Sequence, residues 1–295
     1  MKSRSSLSPA QRASVVLVAY NSAEVIGAAI ASIDAGAEII VVDNASSDGI
    51  APIVERPGAK LISNAANLGY GAACNVGAAA ASREFVLFMN PDARLCTGAL
   101  AKLVDAAEAQ QDVAALNPRI LDNSGKTFQR RHSRLLDRAT NRQLRRPLTR
   151  DGELEMLTGA ALFCRKAHFD AVGGFDKNIF LYCEDDDLAV RFKRAGFKLG
   201  YVHDAVVIHA QGCSTPPSPS LERFRAYHFM RSIRYAREKH GLSFNRRYRQ
   251  ALATVNWLLA WATLNERRKR KYSGYMAALA GHRGDAMDKV GSPAE

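Results

Sequence analysis

The sequence predicts an α/β fold in which a mostly parallel central sheet is flanked by helices and followed by a C-terminal helical appendage. Three observations carry that expectation. Apolar, β-branched runs alternate with Ala-rich stretches through the first 120 residues, an order that builds parallel strands joined by covering helices. Polar residues collect just past each run, where sheets of this kind bind ligands. Beyond the breaker-rich GCSTPPSPS at 212–220 the alternation gives way to long basic segments of helical character.

Strands are expected at Ser14 to Tyr20, Glu38 to Asp43, Lys60 to Ser63, Glu84 to Met89 and Val113 to Ile120. Their ends present Tyr20 and Asn21, Asp43 and Asn44, Asn64 to Asn67, and Asn90 to Asp92. Residues 122–152 form a polar insertion with Arg130, Arg131, Arg134, Arg138, Arg142, Arg145, Arg146 and Arg150, expected as a mobile basic loop or a short helix pair. Regular structure resumes with apolar Met156 to Cys164, a Gly-Gly turn at 173 and 174, a helix from about Asp185 to Arg194 stopped by Gly196, and a strand from Lys198 to His209. The expected organisation is therefore a domain at 14–211, a linker at 212–220, and basic amphipathic helices at 221–272, drawn as Leu221 to Lys239 and Arg246 to Arg270. Flexible tails are expected at 1–12 and 273–295.

A 47% hydrophobic content supplies a real core and excludes a wholly disordered chain. The formal charge of +12 points to an anionic partner, whether nucleic acid, an acidic membrane face or a phosphorylated small molecule. Five cysteines, Cys74, Cys96, Cys164, Cys183 and Cys213, lie too far apart for a metal knuckle or a C-x-x-C pair, and read as reduced thiols in a cytosolic setting. MKSRSSLSPAQR is too polar to open a secretory signal, and no run reaches the roughly 18 apolar residues that span a bilayer.

Four features could carry chemistry. The strand FVLFMNPDA ends abruptly at Asn90, Pro91 and Asp92; a carboxylate there can take a divalent cation bridging two phosphates, or simply close a turn. In FLYCEDDDLAVRFKRAG, four acids from Glu184 to Asp187 open an amphipathic helix. One or two would cap it and offset its dipole; a carboxylate in excess of that need, within reach of a hydroxyl, can act as general base. Glu184, Asp185 and Asp187 are the candidates. NLGYGAACNVG places Asn67, Gly69, Gly71, Asn75 and Gly77 at a helix start, where backbone can approach phosphate or a base edge; the spacing does not match the dinucleotide fingerprint. His209 ends its strand as either a satisfied polar residue or a metal ligand, whereas His168 and His203 read as structural.

Taken in order, VAYN (18–21), VVDNASSDG (41–49), NLGYGAACNVG (67–77), FMNPDA (88–93), LTGAALFCRK (157–166), GGFD (173–176) and EDDDLAVRFKRAG (184–196) resemble family 2 inverting glycosyltransferases, nearest to the rhamnosyltransferase-like branch that makes bacterial surface polysaccharides. The match covers about residues 14–240. The resemblance implies a GT-A fold with a Rossmann-like nucleotide-binding half and an acceptor half. It also implies a nucleotide-diphosphate sugar donor, dTDP-L-rhamnose or a UDP-sugar, and Mg²⁺ or Mn²⁺. Carried onto this chain, it puts Tyr20, Asn21 and Asp43 at base and ribose, with Asn67, Gly69, Asn75 and Asn90 nearby. Asp92 and His209 would hold the metal, Asp185 would be the base, and Thr158 and Gly159 would line the acceptor side.

A helix with Trp257, Leu258 and Trp261 on one stripe and Arg267 to Lys271 beside it suits an anionic membrane interface, which fits a lipid-linked acceptor at the cytoplasmic face of the inner membrane. Two rivals are weighed against this reading. A nucleic-acid-binding protein would explain the charge but neither the acid cluster nor the N-P-D strand end, so nucleic acid is not expected as a partner. A catalytically inactive scaffold of the same fold would explain Asn90.

Overall fold

The computed structural model describes residues 7–55, 58–144, 146–210 and 218–281. The tails at 1–6 and 282–295, most of the linker, Arg145 and Cys213 lie outside the described residues. The chain divides into two compact units, one of residues 1–177 and 185–215, the other of residues 178–184 and 216–295.

The first unit holds the sheet. Strands β1 (Ala13–Ala19), β2 (Glu38–Asp43), β3 (Ala59–Ser63), β4 (Phe85–Met89), β5 (Ala93–Leu95), β6 (Val113–Leu121), β7 (Thr127–Phe128), β8 (Gly152–Glu153), β9 (Ala161–Arg165) and β10 (Lys198–His209) run in the order β3-β2-β1-β4-β9-β6-β10-β5, with β7 beside β6 and β8 beside β10. The long strands β1, β2, β3, β4, β6 and β10 share one direction, and β9 enters antiparallel between β4 and β6. The chain builds outward from β1 to β3, then returns to the other side of β1 as β4. That reversal opens a crevice beyond the C-terminal ends of β1 and β4.

Every residue of β1 is buried, as a central strand covered on both faces requires. Its alternation sends Val15 and Leu17 to one core layer, with Ile26 and Ile30 of α1 (Ala23–Ala31) and Leu100 and Leu103 of α3 (Ala99–Ala109). Val16 and Val18 face the other layer, with Ala73 and Cys74 of α2 (Tyr70–Ala80) and Leu188 and Phe192 of α6 (Glu184–Arg194). Gly77 sets how closely α2 lies on the sheet, because a Cβ there would overlap Val16 Cγ1. Within the basic insertion one short helix forms, α4 (Arg138–Gln143), capped by Asp137, rather than a helix pair. A further short helix, α5 (Lys166–Ala171), follows β9. Cys74, Cys96, Cys164 and Cys183 form no disulfide.

The second unit contains α7 (Pro219–Lys239), α8 (Arg246–Ala262) and α9 (Glu266–Ala280), with α9 packed against both of the others. Tyr227, Met230, Ala253, Ala278 and Leu279 form its core. Gly274 lets α9 approach α7, since a Cβ would come within 2.6 Å of the Arg223 carbonyl. Residues 178–184 join this unit, with Phe180 stacked on His228 at 4.3 Å and the Leu181 carbonyl accepting the Ser232 hydroxyl. Two boundaries differ from expectation. The helix drawn from Arg246 to Arg270 is broken by Leu264, at φ +51°, and Asn265, whose side chain caps the next helix by accepting Arg268 N–H. Helix α9 then runs to Ala280, so regular structure continues well past the point where a flexible tail was expected to begin. Among the described residues, no helix is long and apolar enough to cross a membrane.

Candidate active site

Polar groups at the β1, β2 and β3 ends are fastened to one another. Asn21, at φ +50°, accepts Ser47 N–H on Oδ1, its own N–H goes to Ser46 Oγ, and Asp43 Oδ1 accepts Ser46 N–H. Asp48 caps α1 from a distance by accepting Ala23 N–H at 2.7 Å. Asn44, nearly fully buried, accepts Asn64 Nδ2–H and Leu68 N–H and donates to Asn67 Oδ1, which also accepts Gly69 N–H. Gly69 holds φ +83° at the entry to α2. These bonds order two loops around the half-exposed Tyr20, Asp43 and Asn67. Asn75, expected at the donor, is otherwise occupied: its amide donates to Phe175 O and accepts Phe175 N–H, both at 2.8 Å, fastening the Gly-Gly turn to α2.

At the end of β4, Asp92 lies 3.1 Å from His209 Nε2 through Oδ1, and Asn90 Nδ2 lies 3.2 Å from the same nitrogen. β5 and the end of β10 pair antiparallel, His209 opposite Ala93, which brings residues 117 apart in sequence into contact. Asp92 is almost wholly buried. The two side chains offer a carboxylate oxygen and an imidazole nitrogen, both donor types that a divalent cation accepts. The donor set fits a divalent cation, which would need further ligands from outside the protein. Among the described residues no cluster of three or more metal-ligating side chains exists, so the protein alone offers it only these two.

The acids at the start of α6 separate into different environments. Asp185 Oδ2 accepts Arg130 Nη1–H at 2.8 Å and Gly159 N–H at 3.1 Å, while its Oδ1 accepts Asp186 N–H. Asp186 pairs with the other arm of the same guanidinium at 2.5 Å. Burial pushes the Asp186 carboxyl up to about 6, against the opposing pull of Arg130 and with a further push from Asp185. Asp187 is fully buried and held by Arg191 one turn along the helix, an i,i+4 ion pair that serves packing, so it is not carried forward as a base. Glu184, the first residue of α6, is buried beside Asp185 in sequence. The chain enters α6 through Tyr182 and Cys183, both in the left-handed region at φ +66° and +69°.

Short bonds link Asn90, beside Asp92 and His209, to Asp185. Asn90 N–H donates to Ala160 O at 3.0 Å, and the adjacent Gly159 N–H reaches Asp185. Tyr70 OH donates to Gly159 O, tying the glycine segment to the same loop. Thr158 is fixed by Asn117, whose amide accepts Thr158 N–H and donates to Thr158 O and Ala161 O. Sequence reading missed Arg130, one arginine among eight in a polar insertion, and Asn117, a lone polar residue inside an apolar strand run. Only the second left a signal, a buried amide needing partners. His168 stacks on Phe197 at 4.3 Å and His203 faces Arg119, both in packing roles.

Comparison with known proteins shows the family and the fold. The model of the family described as glycosyl transferase family 2 matches residues 14–173. An N-acetylglucosaminyl-diphospho-decaprenol L-rhamnosyltransferase of Mycobacterium tuberculosis is 30% identical over 87% of this chain and 95% of its own. A mannosyltransferase of Pyrobaculum calidifontis, solved with GDP-Man and Mn²⁺, superposes with a TM-score of 0.55 at 18% identity, over 91% of this chain and 86% of that one. GalNAc-T7, solved with UDP, GalNAc and Mn²⁺, gives 0.59 at 15% identity, over 92% and 56%.

Proposed function

Because this chain belongs to glycosyl transferase family 2 and is a glycosyltransferase of GT-A fold and of the rhamnosyltransferase kind, we propose that it transfers L-rhamnose from dTDP-L-rhamnose to a lipid-linked sugar acceptor, inverting the anomeric centre. The observation that carries the site assignment is the run of bonds from His209 and Asp92 through Asn90, Ala160 and Gly159 to Asp185. This run supports reading Asp92 and His209 as metal ligands next to a carboxylate whose Oδ1 meets only a backbone N–H among the bonds described above.

In this reading Tyr20, Asn21 and Asp43 hold base and ribose, Asn67 and Gly69 shape the loop beside the diphosphate, and Thr158 and Gly159 face the acceptor. Asp185 takes the proton from the attacking hydroxyl. Arg130 and Gly159 N–H hold its Oδ2, so the carboxylate cannot rotate and Oδ1 is the oxygen presented to the acceptor. A Mg²⁺ or Mn²⁺ ion, when bound by Asp92 and His209, would offset the charge that grows on the departing nucleoside diphosphate. In this reading the enzyme works at the anionic cytoplasmic face of the inner membrane, a location supported by the lipid named in the relative's acceptor.

A panel of nucleotide sugars with Mg²⁺ or Mn²⁺, scored by release of nucleoside diphosphate, tests the reading. dTDP-L-rhamnose should turn over and fail to do so in Asp92→Ala. No turnover of any donor by the intact chain would instead favour the inactive scaffold. Two protein ligands also predict weak metal binding without donor: calorimetry should show metal affinity rising at least tenfold when the nucleoside diphosphate is present.

A further inference from the structure

The three helices of the second unit leave one face uncovered. Among the described residues ten large apolar side chains are exposed, and seven of them fall between Tyr248 and Leu264. Tyr248, Leu252, Val255 and Leu259 recur at spacings of four, three and four, which draws one stripe along α8, and Leu258 flanks it. Ala253 and Ala260, on the opposite side, are buried. The face differs from the stripe expected from sequence: Trp257 is half-buried in edge contact with Trp261, and Leu252, Val255 and Leu259 take its place.

Charge decides what covers this face. Helix α8 contains no acid, and Arg246, Arg247 and Arg249 occupy its first turn. Arg267, Arg268, Arg270 and Lys271 follow at the start of α9. With cations at both ends of the stripe, a second copy laid on it in parallel sets Arg246–Arg249 against themselves, and in antiparallel sets them against the α9 cations, so either pairing meets like charge. Residues 282–295 carry only Met287 and Val290 as large apolar side chains, too few to fill a stripe of five. Anionic headgroups fit both features, neutralising the two basic ends while the stripe enters the acyl boundary. Tyr248, at one end of the stripe, is an amphipathic ring that favours that depth.

We propose that the exposed face of α8, with Tyr248, Leu252, Val255, Leu258 and Leu259, is a docking surface for an anionic phospholipid bilayer, on which the helix lies parallel to the membrane plane. The proposal rests on the membrane-face reading above and names the surface that meets the lipid. The test uses the full chain and vesicles of phosphatidylcholine with or without phosphatidylglycerol. Sedimentation should show binding to anionic vesicles that falls as salt rises. The Leu252→Glu/Leu259→Glu variant should bind about tenfold more weakly, and Arg247→Glu, outside the stripe, should weaken binding and flatten its salt dependence. Both leucines are about half exposed, so circular dichroism and melting should match the parent. Release of nucleoside diphosphate with a water-soluble acceptor should be unchanged, which separates loss of docking from loss of transfer. Equal vesicle binding by the double variant overturns the assignment to α8. Failure of the parent to bind overturns it together with the membrane-face reading. A lipid-free dimer that the double variant converts to monomer overturns it in favour of a second copy.

Discussion

At the N-terminal end of the sheet, Arg12 pairs with Glu84 at 2.8 Å and Glu108 at 2.5 Å, Arg165 pairs with Glu84 at 2.5 Å, and both guanidinium groups lie over the Phe85 ring. Each charge is answered by its neighbours, and the cluster joins the entries to β1 and β4 to the end of β9. At the opposite end, Asp185 and Asp186 share a single guanidinium, Asp92 faces an imidazole, and Asp186 is pushed toward its neutral form by burial. One end is a set of Arg–Glu pairs over an aromatic ring, and the other gathers aspartates around one guanidinium and one imidazole. The first cluster staples strands together, whereas carboxylates gathered at a crevice, one of them pushed toward its neutral form, mark a candidate functional site.

The largest effect that could break this contrast is in catalysis. Asp185→Asn should lower the rate of sugar transfer by about 10²–10⁴-fold, with donor binding measured by calorimetry little changed. A modest loss would move the base elsewhere and leave Asp185 as a partner of Arg130. Next in size is the pH dependence of stability. Because Asp186 titrates at about 6 when folded, above its ordinary 3.8, the folded chain holds a proton there that the unfolded chain has given up. Its contribution is therefore present below pH 4 and lost as pH rises through 6. Urea denaturation across that window should show stability falling by roughly 2–3 kcal/mol, a fall that Asp186→Asn removes. The smallest effect belongs to the other end of the sheet. Glu84→Gln should cost about 1 kcal/mol of stability, read from the same denaturation curves, with transfer rate unchanged, because these partly exposed pairs serve structure alone.

Boundaries in the first unit were legible because burial on both faces leaves β-branched runs that turn residues interrupt: Glu38–Asp43 and Lys198–His209 follow directly from the sequence. In the second unit the Asn265 cap was hidden between two basic helical patterns of similar composition, so one helix was expected where two form. The site divides in the same manner. Asp92 and the acids at 184–187 announced themselves because carboxylates following an apolar strand, or crowded at a helix start, exceed what local structure needs.

By itself the sequence determined the family, the order of strands and helices along the chain, and the strand ends at which polar residues gather. These follow from local periodicity and from motifs read in order. Only the tertiary structure decided which of those residues meet. It joined His209 to Asp92 across an antiparallel pairing, gave Asp185 and Asp186 to Arg130, turned Asp187 into the core, engaged Asn75 with Phe175, and left the Leu252 side of α8 uncovered. The physical reason is common to all of them. Contacts between residues far apart in the chain depend on strand order and on which face each helix buries, and neither is written in the local pattern of any one segment.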